Sequence, residues 1–187
     1  AIKKLKPYHP QQMLDIATGT GDFAILAQQI LSPHTIIGID ISKKMMETGR
    51  KKIEANGLGN RIVLEQQDCT AMNFPDNTFD AATVAFGVRN FENIDRAFSE
   101  IRRVLKPGGI FLFLELSTPQ HFPMKQLYSM YSGLFIPFIG RIMSTDKNAY
   151  RYLPKSISAF PQGKEMMTIL EKNGFYNLQY KTYTAGV

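Results

Sequence analysis

The residues with the clearest chemical potential form a short glycine-rich run that follows an apolar segment. The run reads Asp15-Ile-Ala-Thr-Gly-Thr-Gly-Asp22, and its glycines, Gly19 and Gly21, let a backbone turn approach a ligand closely. A helix that begins after such a turn also offers unpaired backbone N–H groups. The pattern indicates a nucleoside or nucleotide site. A dinucleotide is not excluded, because Ala24 occupies the third position of the looser G-x-G-x-x-A motif.

Two further carboxylates stand at similar points later in the chain. Asp40 ends the second apolar segment about twenty residues beyond the glycines, where a carboxylate accepts hydrogen bonds from ribose hydroxyls. The alternative for Asp40 is a helix N-cap, a role that Ser42 could fill instead. Asp68 follows the third apolar segment and, with the backbone of Cys69, suits an adenine ring, although a turn-forming aspartate also fits. Together with the glycine-rich turn, the two carboxylates predict a nucleoside site.

These residues need a scaffold that brings the ends of successive strands together. Short apolar segments alternate with amphipathic ones, which predicts a doubly wound α/β domain with a mainly parallel sheet. In such a sheet, ligands bind at the carboxyl ends of the strands. The predicted strands are Met13–Ile16, Thr35–Asp40, Ile62–Glu65, Phe79–Phe86, Ile110–Glu115 and Tyr176–Thr184, and the predicted helices span about 23–31, 43–56, 94–105 and 162–172, with a turn at Lys106–Gly109.

Composition excludes several other classes of protein. The chain has 187 residues and one cysteine, so it has no internal disulfide and suits a reducing cytosol. Its three histidines and single cysteine show no metal-ligand spacing. The net charge of +6 is scattered, apart from a basic cluster over 43–52 on a predicted solvated helix face. Because the chain has neither a basic stripe nor a base-flipping motif, nucleic acid is not an expected partner.

Two sets of segments resemble known enzymes. The first set comprises Asp15-x-x-Thr-Gly-Thr-Gly, Gly38-Ile-Asp40 with Ser42-x-x-Met45, and Asp68 before Phe74–Asp80. It resembles the signature of class I S-adenosylmethionine-dependent methyltransferases. The second set comprises Ala85-Phe-Gly-Val-Arg-Asn90, Arg103–Ser117 and Tyr150–Ser156 followed by Phe160-Pro161. It is similar to the UbiE/MenG methyltransferases of quinone biosynthesis, and the likeness covers essentially the whole chain.

The resemblance implies a Rossmann-like fold, S-adenosylmethionine as cofactor, and C-methylation of a prenylated quinol in a bacterial cytoplasm. The favoured reaction converts demethylmenaquinol to menaquinol, with ubiquinone biosynthesis as a further role. The implied cofactor contacts are Asp15, Thr18, Gly19, Thr20, Gly21, Asp40, Ile41, Met45, Asp68, Cys69 and Ala85. Ala85 stands where the family often has a serine, so its contact is expected through the backbone or not at all.

The implied catalytic residues are Arg89 and Asn90, which are expected to polarise a quinol hydroxyl. The alternative for Arg89 is a surface ion pair with Glu92 or Asp95. The residues expected at the substrate are Phe86, Tyr150, Arg151 and Tyr152.

The resemblance also implies how the chain is organised. We expect a single methyltransferase domain over 1–187, in which 119–161 forms a substrate-side insertion or lid. Leu127–Ile139 is too short and interrupted to span a bilayer, but with Lys125 and Arg141 it predicts peripheral contact at the inner face of the membrane. Family members have further residues before Ala1 and after Val187, so the domain is expected to be truncated at both ends.

Three alternatives stay open. The chain could methylate another small apolar molecule, bind NAD as an oxidoreductase, or act as a catalytically silent binding partner. The second set of segments argues against the first alternative, and the intact cofactor motifs argue against the third. Nothing in the sequence indicates an oligomeric state or distinguishes a naphthoquinol from a benzoquinol ring.

Overall fold

The computed structural model of the chain describes residues 1–117, 157 and 160–182. Most of the predicted lid, with Lys125, Arg141 and the apolar run between them, lies outside these residues. Tyr150, Arg151 and Tyr152 also lie outside them. Among the helices that the structure does describe, none has the length and apolar character needed to cross a membrane.

Five strands form a single parallel sheet. They are β1 (Gln12–Ile16), β2 (Thr35–Asp40), β3 (Ile62–Gln66), β4 (Phe79–Ala85) and β5 (Leu105–Leu114). They are arranged in the order β3-β2-β1-β4-β5, and every pairing is parallel. The strand order reverses between β1 and β4, and in such sheets the crevice at this reversal is where ligands bind. The predicted doubly wound α/β architecture is therefore confirmed.

Helices alternate with the strands, and polar side chains cap the start of two of them. The described helices are α1 (Asp22–Leu31), α2 (Lys43–Ala55), α3 (Ile94–Val104) and α4 (Lys164–Lys172). The Ser42 hydroxyl accepts a hydrogen bond from the Met45 backbone N–H at 3.4 Å, which confirms the predicted N-cap of α2. Asn93 caps α3 in the same way through the Arg96 N–H, at 3.0 Å.

The core lies between the sheet and its helices. Strands β1 and β4, in the interior of the sheet, are almost entirely buried, as expected where helices cover both faces of a parallel sheet. The edge strands β3 and β5 are partly exposed. Phe98 of α3 is fully buried and meets Phe111 of β5 edge-on, with ring centroids 5.7 Å apart. Phe175 stacks beside Phe111 at 5.4 Å. Edge-to-face and offset contacts of this kind add about 0.5–1.5 kcal/mol each beyond simple burial, so this cluster fixes α3 on β5.

The chain divides into two compact units. The first comprises Ala1–Glu115 with Lys172–Phe175, and the second comprises Leu116–Glu171 with Tyr176–Val187. The first unit contains the whole sheet and helices α1 to α3. The single-domain organisation of the chain stays a prediction.

The start of β5 differs from the prediction. The strand begins at Leu105, five residues before the predicted Ile110, and Lys106–Gly109 lies within it instead of forming a separate turn. Leu105 pairs with Phe79, and a register shift between Phe79 and Ala81 absorbs the additional residues. Gly108 has a φ of +78°, so the Pro-Gly-Gly run that indicates a turn here produces a bulge.

The predicted final strand is wrong over its described part. Residues 176–182 form no strand, and Thr184 lies outside the described residues. Tyr176 and Tyr180 are exposed. Apolar alternation produces a strand only where a neighbouring strand supplies hydrogen bonds, and among the described residues no strand pairs with this segment.

Candidate functional site

The glycine-rich turn between β1 and α1 has an unusual backbone. Ala17, Gly19 and Gly21 all have positive φ angles, of 53°, 57° and 75°. A Cβ built on Gly19 would lie 2.9 Å from the Cε atom of Met45, so glycine is required there for conformation and is favoured by the close approach. The turn therefore exposes backbone atoms at the carboxyl end of β1.

Asp15 fixes this turn from beneath. Its buried carboxylate accepts hydrogen bonds from the Thr18 hydroxyl at 2.7 Å and from the Thr83 hydroxyl of β4 at 2.8 Å. Burial raises the pKa of Asp15 to about 6, although the two hydroxyl donors act in the opposite direction. Asp15 and Thr18 thus connect the turn to β4, and their predicted direct contact with a cofactor stays a prediction.

Asp40 connects the turn to the end of β2. Its Oδ2 atom accepts a hydrogen bond from the Gly19 N–H at 2.8 Å, and its Oδ1 atom accepts one from the Ser42 N–H at 2.8 Å. Since Ser42 provides the cap of α2, Asp40 does not serve as the N-cap. Each carboxylate oxygen has two lone-pair sites, so the half-buried Asp40 retains acceptor capacity for ribose hydroxyls.

Asp68 and Cys69 follow β3 at the same edge of the sheet. The Oδ1 atom of Asp68 accepts hydrogen bonds from the N–H and the hydroxyl of Thr70, both at 2.8 Å, and these lower the pKa of Asp68. Burial, followed by the charge of Asp68, raises the pKa of Cys69 to about 12. The thiol therefore stays protonated at neutral pH and is not a nucleophile. A contact from Cys69 to adenine would use its backbone.

Exposed apolar side chains border these polar groups. Ile41 is 72% exposed, and Met45 and Phe86 are a little under half exposed, although all three are large hydrophobic residues. Ile41 and Met45 flank Ser42, next to the Asp40 carboxylate. Phe86 has a φ of 60°, a strained value for an aromatic residue. Strain of this kind is concentrated at functional sites, and the exposed ring suits an apolar ligand.

The loop after β4 packs directly on the glycine-rich turn. A Cβ built on Gly87 would lie 2.6 Å from the Cβ of Ala17, a distance that no real pair of such atoms adopts. The Phe86 N–H donates to the carbonyl oxygen of Leu114 at 2.8 Å and so fixes the loop to β5 as well. Arg89 and Asn90 lie in the 3-10 turn Val88–Asn90 that follows. The structure thus packs the segment that carries Arg89 and Asn90 against the glycine-rich turn.

Arg89 forms a buried ion pair with Glu115, which the sequence reasoning missed. The guanidinium NH1 group donates to Glu115 Oε1, and the Arg89 backbone N–H donates to Glu115 Oε2 at 3.2 Å. Their side chains are only 12% and 5% exposed. The alternative for Arg89, a surface ion pair with Glu92 or Asp95, is wrong, because its nearly buried guanidinium pairs with Glu115 instead. The available signal was an acidic residue directly after an apolar strand, as at Asp40.

Helix α2 supports the turn from the other side, a role also missed from the sequence. The Lys52 ammonium group lies 2.8 Å from Asp22 and donates to the Thr20 hydroxyl at 3.2 Å, while that hydroxyl donates to Asp22 at 2.6 Å. A Cβ on Gly49 would lie 3.1 Å from the Thr20 carbonyl carbon. The Thr20 hydroxyl is therefore engaged in this network, and its predicted contact with a cofactor stays a prediction.

A sequence model described as the ubiE/COQ5 methyltransferase family matches residues 1–187. The chain belongs to the ubiE/COQ5 methyltransferase family. It is an S-adenosylmethionine-dependent methyltransferase, so the NAD-dependent and catalytically silent alternatives no longer apply.

Relatives of this ubiE/COQ5 methyltransferase extend across bacteria. A protein of Bacteroides fragilis named demethylmenaquinone methyltransferase is 51% identical over 187 residues, which are 100% of this chain and 76% of the relative. A protein of Geobacter sulfurreducens named ubiquinone/menaquinone biosynthesis C-methyltransferase UbiE is 39% identical over 188 residues, covering 100% of this chain and 73% of the relative.

The fold is shared with solved methyltransferases. The structure of Haemonchus contortus phosphoethanolamine N-methyltransferase 2 in complex with S-adenosyl-L-methionine superimposes with a TM-score of 0.66 and 21% identity. The match covers 92% of this chain and 36% of that chain. At this identity the likeness concerns the fold alone.

The residues of this ubiE/COQ5 methyltransferase fit S-adenosylmethionine. Gly19 leaves a cradle that a side chain would fill, and Asp40 presents a carboxylate whose donors are backbone groups of the cradle itself. Ile41 and Met45 add exposed apolar surface beside it. Among the described residues, no group of histidine, cysteine and acidic side chains could hold a metal ion.

Proposed function

We propose that this ubiE/COQ5 methyltransferase transfers a methyl group from S-adenosylmethionine to a ring carbon of a prenylated quinol. Demethylmenaquinol is the favoured acceptor, because the relative at 51% identity carries the name demethylmenaquinone methyltransferase. The benzoquinol counterpart is a second acceptor to test, since the Geobacter relative is named for both quinone pathways.

One observation from the structure carries the proposal. The loop that holds Arg89 and Asn90 contacts the turn that would hold the cofactor, at Gly87 and Ala17. A loop that carries donor groups and packs on the cofactor cradle would allow the acceptor to be positioned beside the methyl group. Such positioning can lower a barrier by about 7–11 kcal/mol. The strained, exposed ring of Phe86 adds an apolar surface to the same loop.

Residues at the carboxyl end of the sheet would hold the cofactor. Asp40 would accept hydrogen bonds from the ribose hydroxyls, and Asp68 with the backbone of Cys69 would bind the adenine. The backbone of Gly19 and Gly21 would border the remainder of the molecule. When bound, S-adenosylmethionine supplies an electrophilic sulfonium methyl group. Asp15 acts through the turn, which it holds by way of Thr18.

Arg89 and Asn90 would act on the acceptor ring. A quinol carbon becomes more nucleophilic when an adjacent hydroxyl carries negative charge, and a cationic donor close to that oxygen lowers the free energy of the charged form. The side chain of Arg89 supplies a cationic guanidinium group with several N–H donors. We therefore assign Arg89 to stabilise the developing oxyanion and Asn90 to orient the hydroxyl.

A methyl-transfer assay with reduced demethylmenaquinone and its benzoquinol counterpart tests the proposal. Arg89→Ala should lower turnover by about a hundredfold or more, with affinity for S-adenosylmethionine near that of the wild type. Wild-type turnover in this variant would remove Arg89 from the mechanism. A panel of other small apolar acceptors, methylated in place of the quinols, would favour the alternative substrate class.

A prenylated acceptor also leads us to propose peripheral contact with the membrane surface. The net charge of +6 favours anionic headgroups. Co-sedimentation with anionic liposomes, with and without reduced demethylmenaquinone, tests this contact. No binding under either condition would contradict it.

A further inference from the structure

The carboxylate of Glu115 is buried, and burying its charge costs free energy of desolvation. Glu115 directly follows Leu114, the last residue of β5, and its carboxylate receives both the guanidinium and the backbone N–H of Arg89. A single side chain thereby holds both the main chain and the side chain of the loop after β4.

Stability alone does not account for this pair. Both side chains are nearly buried, at 12% and 5% exposure. Removing two charges from water costs several kcal/mol per ion, and replacing a buried ion pair with apolar residues of similar volume is often neutral or stabilising. A second ion pair, between Lys106 of β5 and Asp80 of β4, lies at the amino end of the sheet and is much more exposed. The buried pair lies instead at the carboxyl end, where ligands bind.

The guanidinium of Arg89 is not fully satisfied. Its Nε atom is buried, and no atom of the described residues accepts a hydrogen bond from it. A buried donor without an acceptor costs about 1–3 kcal/mol, and more on a charged group. Buried orphan donors therefore call for an explanation, of which a missing ligand is one. An oxygen of a bound acceptor molecule would supply the partner.

We infer that Glu115 is a positioning residue, which holds the Arg89 guanidinium so that its remaining donors meet an oxygen of the acceptor ring. The inference rests on the proposed function, since it requires that Arg89 contact the substrate. Glu115 itself does not touch the substrate. Its carboxylate neutralises the buried cation and restricts its orientation, while the bond to the Arg89 N–H fixes the loop.

The experiment compares Glu115→Gln, Arg89→Ala and the double variant in full-length protein, with reduced demethylmenaquinone as acceptor. Glu115→Gln replaces a carboxylate oxygen by an amide group that donates, so one of the two Arg89 donors loses its acceptor. We expect kcat to fall by about tenfold or more. The dissociation constant for S-adenosylmethionine should stay within about twofold of the wild type. Because Glu115 acts through Arg89, the double variant should be no slower than Arg89→Ala.

Two further variants keep the test decisive. Glu115→Asp retains the charge but withdraws the carboxylate by one methylene, and displacements of about 1 Å can cost a hundredfold in rate. This variant keeps a negative charge beside the guanidinium, so it should remain folded, with a lower melting temperature, and lose kcat even if Glu115→Gln does not fold. Lys106→Gln breaks the ion pair between the same strands at the opposite end and should leave kcat unchanged.

The possible outcomes separate this inference from the proposed function. Wild-type kcat in folded Glu115→Asp, or a double variant slower by the product of the single effects, would overturn the positioning role. If the wild-type protein methylates no quinol, the proposed function fails first. If the wild-type protein is active and the Glu115 variants are equally active, only the inference about Glu115 is overturned.

Discussion

Asp40 is the residue on which the proposed cofactor site depends most directly. Its two oxygens hold the Gly19 and Ser42 N–H groups, each at 2.8 Å. Asn has a single acceptor oxygen, so Asp40→Asn leaves one of these donors facing an amide group. Hydrogen bonds to charged groups contribute about 1.5–3 kcal/mol. We expect the dissociation constant for S-adenosylmethionine to rise by about tenfold to a hundredfold in titration calorimetry. Asp76→Asn, which removes an exposed carboxylate, should leave it unchanged.

The buried carboxylate of Asp15 gives the fold a specific dependence on pH. Its pKa is raised from 3.8 to about 6, so the folded protein binds a proton more tightly than the unfolded chain does. The stabilising effect of that proton is present below about pH 4 and is lost as pH rises through 6. Between pH 4.5 and 7.5, the wild type should lose about 2 kcal/mol of unfolding free energy relative to Asp15→Asn. Urea unfolding at several pH values measures this difference.

Asp22 provides a control, because its pKa is shifted in the direction opposite to that of Asp15. The Asp22 carboxylate has a lowered pKa, chiefly because Lys52 and then Thr20 donate hydrogen bonds to it. Its contribution to stability is therefore present above the unfolded pKa and is lost as pH falls. Asp22→Asn should lose stability relative to the wild type as pH rises, in contrast to Asp15→Asn. Parallel pH profiles for wild type and Asp15→Asn would contradict the assignment for Asp15.

At the scale of elements, α2 packs against the glycine-rich turn and supports its conformation. A Cβ on Gly49 would lie 2.8 Å from Leu64 and 3.1 Å from Thr20. Gly49→Ala should therefore displace α2 from the turn, although alanine favours helices by about 1 kcal/mol over glycine. We expect weaker binding of S-adenosylmethionine, by several-fold, together with a lower melting temperature. Thr48→Ala, in the same helix, should have little effect on binding. Unchanged binding in Gly49→Ala would show that α2 does not shape the turn.

Local signals explain which elements were predictable from the sequence. The bounds of β2 were predicted as found, and the start of α2 was confirmed because Ser42 is a strong capping residue that follows an apolar strand. The start of β5 was predicted wrongly because Pro107 and Gly108 indicate a turn, whereas the pairing of Leu105 with Phe79 extends the strand. The segment after Phe175 alternates like a strand, but pairing depends on a distant partner that local sequence does not specify.

At the scale of the whole molecule, the proposed cofactor site exists only in the folded state. Residues that follow β1, β2 and β3 contribute to it, so S-adenosylmethionine should stabilise the native protein by mass action. At a hundredfold excess over the dissociation constant, the gain is about 2.7 kcal/mol. For a chain of this length we expect the melting temperature to rise by about 5–10 °C. Thermal unfolding with S-adenosylmethionine, and with NADH as control, measures this effect. An equal rise with NADH would contradict a nucleoside site specific for S-adenosylmethionine.

The global arrangement of the sheet also decides which site residues sequence reasoning could find. Asp15, Asp40 and Asp68 could be placed at the carboxyl edge of the sheet because each lies at or just beyond the end of an apolar strand. Glu115 was missed as the partner of Arg89 because 26 residues separate them, and only the adjacency of β4 and β5 brings them together. Positions 49 and 87 likewise accept only glycine because segments distant in the sequence pack closely against them.

The contact between Gly87 and Ala17 restricts how this enzyme could be redesigned. The loop after β4 cannot be exchanged independently of the glycine-rich turn. Its backbone at Gly87 packs on Ala17 of that turn, and the contact leaves no space for a Cβ at position 87. Grafting a loop from an enzyme with another substrate would succeed only if a glycine is retained at position 87 and a small residue at position 17. A graft without them would change cofactor affinity together with substrate preference. Directed evolution of new acceptors should therefore find paired substitutions in the two segments more often than changes in the loop alone.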